Sequence, residues 1–149
     1  MRRLLLWAPA VAYMALIFFL SSVPGDDLPG HFWDKGVHFL VYGGLGVLFL
    51  LPVTEARVDR LTAGSALLAV LFATLYGGFD EIHQSFTPDR TPDWHDLLAD
   101  CLGASLGVVV MVGLVAMLKR VRGAKTSSET KTETRTKTET TGSARSNGG

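Results

Sequence analysis

Apolar residues gather in four long stretches of 17 to 22 residues, and polar residues fall between and after them. The stretches are residues 4–20, 37–53, 61–79 and 97–118. A helix rises about 1.5 Å per residue, so roughly 20 residues cross the ~30 Å hydrocarbon core of a membrane. Lipid offers the backbone no hydrogen bonds, and none of the stretches alternates as a barrel strand does. The pattern predicts an all-α integral membrane protein, a bundle of four transmembrane helices.

The first stretch follows Arg2 and Arg3, as the apolar core of a secretory signal peptide would. It is longer than the roughly 7–15 apolar residues typical of such a peptide. Residues 21–24 also provide no convincing small-x-small cleavage site. We therefore expect this stretch to be retained as a membrane helix.

Basic residues lie mostly on one side of the predicted membrane. Before helix 1, between helices 2 and 3, and after helix 4, the basic residues are Arg2, Arg3, Arg57, Arg60, Lys119, Arg120, Arg122 and Lys125. The loops on the opposite side contain only Lys35 and Arg90. Short cytoplasmic loops are enriched in Lys and Arg, so both termini are expected to be cytoplasmic.

Composition narrows the class further. The net charge is zero, which gives no indication of nucleic-acid binding. Cys101 is the single cysteine, so an intrachain disulfide framework and a multi-cysteine metal site are excluded. Residues 123–149 are rich in Lys, Thr, Glu and Ser and have nothing to bury. We expect a membrane domain over residues 1–122 and a disordered cytoplasmic tail over 123–149.

Polar residues recur at helical spacing at three predicted helix ends, all on the side opposite the basic loops. They are Lys35, His38 and Tyr42 on helix 2; Tyr76, Asp80 and Gln84 on helix 3; and Asp93, Asp96 and Asp100 on helix 4. Residues three or four apart share a helix face. The connecting loops add Asp26, Asp27, His31, Asp34, Glu81, His83, Asp89, Arg90 and His95. The spacing predicts one polar cavity at the outer leaflet.

Asp100 lies well inside an apolar run, where a carboxylate costs about 2.5–3.5 kcal/mol at mid-membrane and less near the interface. Such a residue is either functional or orders helix packing through a hydrogen bond. Arg90 lies between Pro88 and Pro92, and its guanidinium suits a phosphate or carboxylate of a ligand, or an internal partner. None of the four histidines shows a recognised metal-ligand spacing, so neither a metal nor a cofactor is predicted. Gly103 and Gly107, with Ala99, predict close packing of helix 4.

Three segments resemble the VanZ-like family, which is named for a protein of glycopeptide-resistance clusters. They are Phe19-Leu20-Ser21-Ser22-x-Pro24-Gly25, Asp34-Lys35-x-x-His38-Phe39-x-x-Tyr42, and a long segment from Asp80-Glu81-x-x-Gln84 through Pro88-x-Arg90-x-x-Asp93-x-x-Asp96 to Gly103 and Gly107. The resemblance covers roughly residues 1–118. The family usually carries Gly at the position of Asp89, and Asn at the position of Asp100. The resemblance implies a multi-pass protein of the bacterial cytoplasmic membrane, whose namesake is associated with lowered susceptibility to teicoplanin.

The leading hypothesis is a site that binds or processes an amphiphilic cell-envelope molecule at the outer leaflet. A lipid-linked precursor or a lipoglycopeptide would fit a cavity that opens to membrane lipid. The expected binding residues are Lys35, His38, Tyr42, Gln84, Arg90, Asp93, Asp96 and Asp100. The candidates for a general acid or base, if the protein is an enzyme, are Asp80, Glu81 and Asp96. The alternatives are a small proton-coupled transporter and a structural subunit of an envelope complex. Four short helices make a small transporter unless the chain forms a homo-oligomer.

Charge adds one more expectation. Five carboxylates share the predicted cavity with two basic side chains, which leaves a formal excess of three negative charges. Two carboxylates about 4 Å apart repel by about 4 kcal/mol at an effective dielectric constant near 20. Either one carboxylate, with Asp100 the deepest candidate, is protonated, or the cavity holds a cation or an amine.

Overall fold

The computed structural model describes the backbone of residues 2–24 and 34–146, and the side chains of residues 3–24 and 35–123. The elements are α1 (Arg2–Leu5), α2 (Ala8–Ser21), α3 (Asp34–Val53), a 3₁₀ turn (Val58–Arg60), α4 (Ala63–Gln84) and α5 (Trp94–Ser146). The chain divides into two compact units, Met1–Val112 and Gly113–Gly149.

Four helical segments are long and apolar enough to cross a membrane, which confirms the predicted number of spans. They are Arg3–Ser21, Lys35–Val53, Ala63–Gln84 and Trp94–Gly123. The third helix continues five residues beyond the predicted end, and the fourth begins three residues before its predicted start. In the added turns, Asp80 accepts a hydrogen bond from Ser21 of α2, and Asp96 accepts one from Lys35 of α3. The cytoplasmic placement of the termini stays a prediction.

The first span is interrupted near its N-terminus. The amides of Leu6 and Trp7 bond to carbonyls three residues back, and α2 then begins with Pro9 in its first turn. Proline has no backbone N–H and its ring crowds the preceding turn, so a continuous α-helix through this point is disfavoured. The proline therefore explains why the span consists of α1 and α2.

Small and aromatic residues fill the centre of the first unit. Ala69 and Ala73 of α4 are fully buried, as is Leu45 of α3. The Trp7 ring lies edge-on to Phe49 and Phe72, with ring centroids 6.1 and 5.6 Å away. Many large apolar side chains remain exposed on every span, as expected for surfaces that meet lipid.

Glycines bring the backbones of α3 and α5 together. A Cβ added to Gly103 would collide with the carbonyl oxygen of Phe39, and one added to Gly107 would collide with that of Gly43. A Cβ on Gly46 would lie 3.0 Å from the carbonyl oxygen of Ala104. The predicted packing through Gly103 and Gly107 is thus confirmed, and its partner is the glycine-rich face of α3.

The α3–α4 connection closes the opposite end of the first unit. Glu55 forms ion pairs with Arg60 at 2.6 Å and with Arg3 at 3.3 Å. One carboxylate therefore connects two of the three segments whose basic residues predict the cytoplasmic side. Helix α4 then begins with a capping box, in which Thr62 and Ser65 exchange side-chain and backbone hydrogen bonds.

Helix α5 continues to Ser146, past the end of its apolar stretch. The sequence favours disorder over residues 123–149, where charged and hydroxyl residues have no apolar face to bury. That expectation stays a prediction, because the side chains beyond Gly123 lie outside the described residues.

Candidate functional site

Polar side chains from four helix ends meet at one end of the first unit. We call this set the polar cluster: Ser21, Lys35, His38, Asp80, Glu81, Gln84, Asp93, Asp96 and Asp100. Ser21 is the last residue of α2, and Lys35 and His38 lie in the first turns of α3. The cluster residues between 80 and 84 end α4, Asp93 precedes α5, and Asp96 and Asp100 lie in its first two turns. Seven of the nine are buried. The predicted convergence is therefore present, whereas the binding roles of these residues stay predictions.

Asp80 collects hydrogen bonds from two helices. Its Oδ2 accepts from Ser21 Oγ at 2.9 Å and from Gln84 Nε2 at 3.1 Å. The amide oxygen of Gln84 faces Arg90 Nη1 at 3.4 Å. This orientation of Gln84 is the one chemistry requires, since a carboxylate needs a donor and a guanidinium needs an acceptor. Arg90 thereby reaches the buried Asp80 through Gln84.

Lys35 connects α3 to the start of α5. Its Nζ donates to Asp93 Oδ2 at 2.6 Å and to Asp96 Oδ1 at 2.9 Å. Asp96 is buried, whereas about half of the Lys35 side chain is exposed. The Lys35 ammonium, followed by the backbone amide and ring of His95, holds the pKa of Asp93 well below its usual range. Asp93 is accordingly an ionised, paired carboxylate at neutral pH.

His38 and Asp100 form the deepest pair. His38 Nδ1 lies 3.0 Å from Asp100 Oδ1, and the Asp100 side chain is fully buried. A Cβ added to Gly77 of α4 would collide with Asp100 Oδ2, so the carboxylate occupies the space that this glycine leaves. The ring of Tyr42, one turn further along α3, is nearly parallel to that of His38 at 6.0 Å. The pair is thus held by three helices.

Glu81 closes the loop between α4 and α5. Its Oε2 accepts the backbone amide of Asp93 at 2.9 Å. Its Oε1 is buried and has no hydrogen-bond partner among the described residues, and the same holds for Asp100 Oδ2. Buried carboxylate oxygens without a partner are costly and call for an explanation. Asp80 Oδ1 is a third such atom, and these three oxygens are the acceptors at which a further ligand could bind.

The loop that holds Arg90 contains a left-handed residue. Asp89 has a φ of 58°, a conformation that favours glycine and that Asp tolerates better than most residues. A glycine, which the VanZ-like resemblance implies at this position, would suit the same backbone shape. Asp89 fits that loop geometry and adds a charge.

Some expected residues lie beside the polar cluster. The His83 ring bonds to Ser22 at 2.9 Å and stacks on Phe18. The His95 ring bonds to Asp93 at 2.6 Å and is exposed. The hydroxyl of Tyr76 donates to the carbonyl of Met14 and so holds α4 against α2. The side chains of Asp26, Asp27, His31 and Asp34 lie outside the described residues.

Sequence reasoning missed the roles of Ser21 and Gly77. Ser21 ends an apolar helix and belongs to the first VanZ-like segment, yet its partner Asp80 lies 59 positions away. Gly77 stands out only once Asp100 is known to face it. Each role depends on a contact between distant segments, which spacing within one helix does not reveal.

A family model for VanZ/LLP1 matches residues 6–118. The chain belongs to the VanZ/LLP1 family. The match covers three quarters of the chain and includes every member of the polar cluster, while the tail lies outside it. Searches of curated proteins and of solved structures gave no match to the chain.

The VanZ/LLP1 domain places opposite charges at different depths of this site. Lys35 and Arg90 lie at its more exposed edge, and Asp80 and Asp100 lie at its base. Such a site offers cationic donors near the surface and carboxylate acceptors below them. It can bind an anionic group at its mouth while a cation or a proton occupies its interior.

Proposed function

We propose that this VanZ/LLP1 protein binds an amphiphilic cell-envelope molecule at the outer leaflet of the bacterial cytoplasmic membrane. If the protein is an enzyme, this molecule is its substrate. A lipid-linked precursor and an acylated glycopeptide such as teicoplanin share the required chemistry, an anionic or polar head on a hydrocarbon chain. The observation that carries the proposal is a buried polar cluster at one end of four apolar spans.

Lys35 supplies the first element of recognition. An ammonium group has three donors, and two of them are used by Asp93 and Asp96. The third, on a side chain that is half exposed, suits a phosphate or carboxylate of the head group. Arg90, half buried in the α4–α5 loop, supports a second cationic contact. The acyl chain would lie along exposed apolar residues such as Leu40 of α3.

The carboxylates below these cations support binding of an amine or hydroxyl group of the ligand. If the protein is an enzyme, they also support general-base catalysis. Glu81 and Asp96 lie close to His38, and one Glu81 oxygen has no partner among the described residues. A carboxylate removed from water is a better general base than an exposed one. Asp80 is already held by Ser21 and Gln84, so it suits a positioning role.

Native mass spectrometry of the protein purified from its membranes tests the proposal. We expect an anionic amphiphile to remain bound to the wild type. Lys35→Met and Arg90→Met should each retain it about 10-fold less or worse, because a charge-assisted hydrogen bond contributes about 1.5–3 kcal/mol. Arg57→Met is the matched control, since Arg57 is an exposed cation at the opposite end and pairs with Asp59.

Equal retention by all four proteins would contradict a role for the polar cluster in binding. Absence of any bound amphiphile, together with a stably bound partner protein, would instead favour a structural subunit of an envelope complex.

A proton-coupled role is the second candidate, and the buried His38–Asp100 pair within a span favours it. Proton flux into liposomes that contain the protein tests this role. Flux that is lost in Asp100→Asn would support it, and flux equal to that of empty liposomes would refute it.

A further inference from the structure

Three helices bring a histidine and two carboxylates within bonding reach of a single point. One ligand atom from each of His38, Glu81 and Asp96 lies within 4.8 Å of the others, and all three residues are buried. Ligands about 2.1 Å from a tetrahedral metal are about 3.4 Å apart. Side-chain movements of about 1 Å or less would therefore close a complete set around one ion.

A second observation points to a ligand at this place. Glu81 Oε1 is shielded from solvent, and no donor among the described residues reaches it. The Glu81 side chain is fixed through its other oxygen, which accepts the Asp93 amide. The oxygen without a partner thus belongs to a carboxylate that is already held in place, as a metal ligand is.

His38 carries the support that metal-binding histidines commonly have. Its Nδ1 bonds to Asp100 Oδ1 at 3.0 Å, so a metal bound through Nε2 would leave this bond intact. A carboxylate on the far nitrogen fixes the ring and raises its basicity toward a metal. Asp100 is therefore a positioning residue for His38, and Gly77 leaves the room that it needs.

The charges of the polar cluster and of the neighbouring Arg90 favour a divalent cation. Asp80, Glu81, Asp93, Asp96 and Asp100 carry five formal negative charges against the two positive charges of Lys35 and Arg90. Lys35 Nζ donates a hydrogen bond to one oxygen of Asp96. Because that lysine also pairs with the more exposed Asp93, Asp96 can turn toward an ion while Lys35 stays bound.

We propose that His38, Glu81 and Asp96 bind a divalent transition-metal ion such as Zn²⁺ or Mn²⁺. Imidazole favours Zn²⁺ and related ions over Mg²⁺, and carboxylates accept Zn²⁺ and Mn²⁺ alike. Three protein ligands leave at least one coordination position open, as in catalytic zinc sites. The histidine spacing gives no sign of this site, because each ligand comes from a different helix.

The test uses the full chain in detergent, purified with a tag that contains no histidine and stripped with a chelator. Zn²⁺, Mn²⁺ or Mg²⁺ alone is then titrated by calorimetry, and bound metal is counted by mass spectrometry. We expect one Zn²⁺ or Mn²⁺ per chain and far weaker binding of Mg²⁺. His38→Gln, Glu81→Gln and Asp96→Asn should each weaken binding at least 100-fold, and Asp100→Asn about 10- to 100-fold.

His95→Gln is the matched control and should bind as the wild type does, because His95 is exposed and lies outside the three ligands. Circular dichroism of each variant shows whether it is folded. If a variant unfolds, Co²⁺ is added to the wild type instead. The visible absorption bands of an ion bound by nitrogen and oxygen ligands are then expected. Metal uptake below one equivalent, uptake unchanged in a folded Glu81→Gln, or silent Co²⁺ spectra would overturn the proposal. Amphiphile retention is measured separately, so the two proposals can fail independently.

Discussion

Replacing Gly77 with alanine should destabilise the protein through a single contact. The new Cβ would overlap Asp100 Oδ2 and lie 3.1 Å from Asp100 Cγ and 3.2 Å from its Cβ. Asp100 is fully buried, and its other oxygen bonds to His38. The carboxylate therefore cannot turn away without giving up that bond, and three atoms of one side chain are crowded at once.

The size of the destabilisation can be worked out from the two ways in which the overlap could be relieved: the interior stays overpacked, or Asp100 moves and loses its bond to His38. Overpacking of a filled interior costs about 1–3 kcal/mol, and loss of a buried hydrogen bond to a charged group costs about 1.5–3 kcal/mol. Gly78 is the matched control, because a Cβ there meets no atom within 4 Å. Both changes gain the same alanine helix propensity, so it cancels in the comparison. Gly77→Ala should thus be less stable than Gly78→Ala by about 2 kcal/mol, roughly 30-fold in the unfolding equilibrium.

Reversible unfolding in mixed detergent micelles, followed by circular dichroism, measures the difference. A double-mutant cycle with Asp100→Ala isolates the contact, and most of the Gly77→Ala cost should disappear when the carboxylate is absent. Equal stability of Gly77→Ala and Gly78→Ala would show that Asp100 does not fill the space beside α4, and would remove the support inferred for His38.

Three further outcomes are expected. A phosphatase fused after the last residue should be inactive and one inserted near Asp89 active; the reverse result would place the polar cluster on the cytoplasmic side. Gly103→Ala should cost about 3 kcal/mol in the same unfolding assay, because a backbone carbonyl cannot rotate away, whereas Gly113→Ala should be nearly neutral. Ser21→Ala should lower the free energy of unfolding by about 1.5–3 kcal/mol, because it removes a donor to a buried carboxylate. Ser22 is exposed, and Ser22→Ala should change that free energy by no more than about 0.5 kcal/mol. Equal costs for the two serines would contradict the Ser21 contact.

The four spans could be predicted because membrane thickness sets the length of an apolar helix. The faces of these helices could also be predicted, since Lys35 and His38 lie one turn apart, as do Asp80 and Gln84. What joins the faces could not be predicted. Which helix meets which is decided by contacts such as that of Gly103 with Phe39, whose two partners are remote in sequence.

Helix ends were less predictable than helix centres. The turn that contains Asp80, Glu81 and Gln84 lies beyond the apolar stretch, so hydropathy alone ends helix 3 before it, although the spacing of Asp80 and Gln84 continues the helix. It remains helical because Ser21 and Asp93 supply hydrogen bonds from other segments. Glu81 illustrates the limit most clearly, since its neighbours His38 and Asp96 belong to different helices and only the assembled structure groups them.

The glycine contact between α3 and α5 also determines how the first unit can move. Where backbone rests on backbone, no rotamer change can absorb a displacement, so these two segments travel together as one rigid block. His38 and Asp96 ride on that block, whereas Glu81 and Ser21 belong to α4 and α2. A displacement of α4 relative to these two segments would therefore carry Glu81 away from both His38 and Asp96 at once.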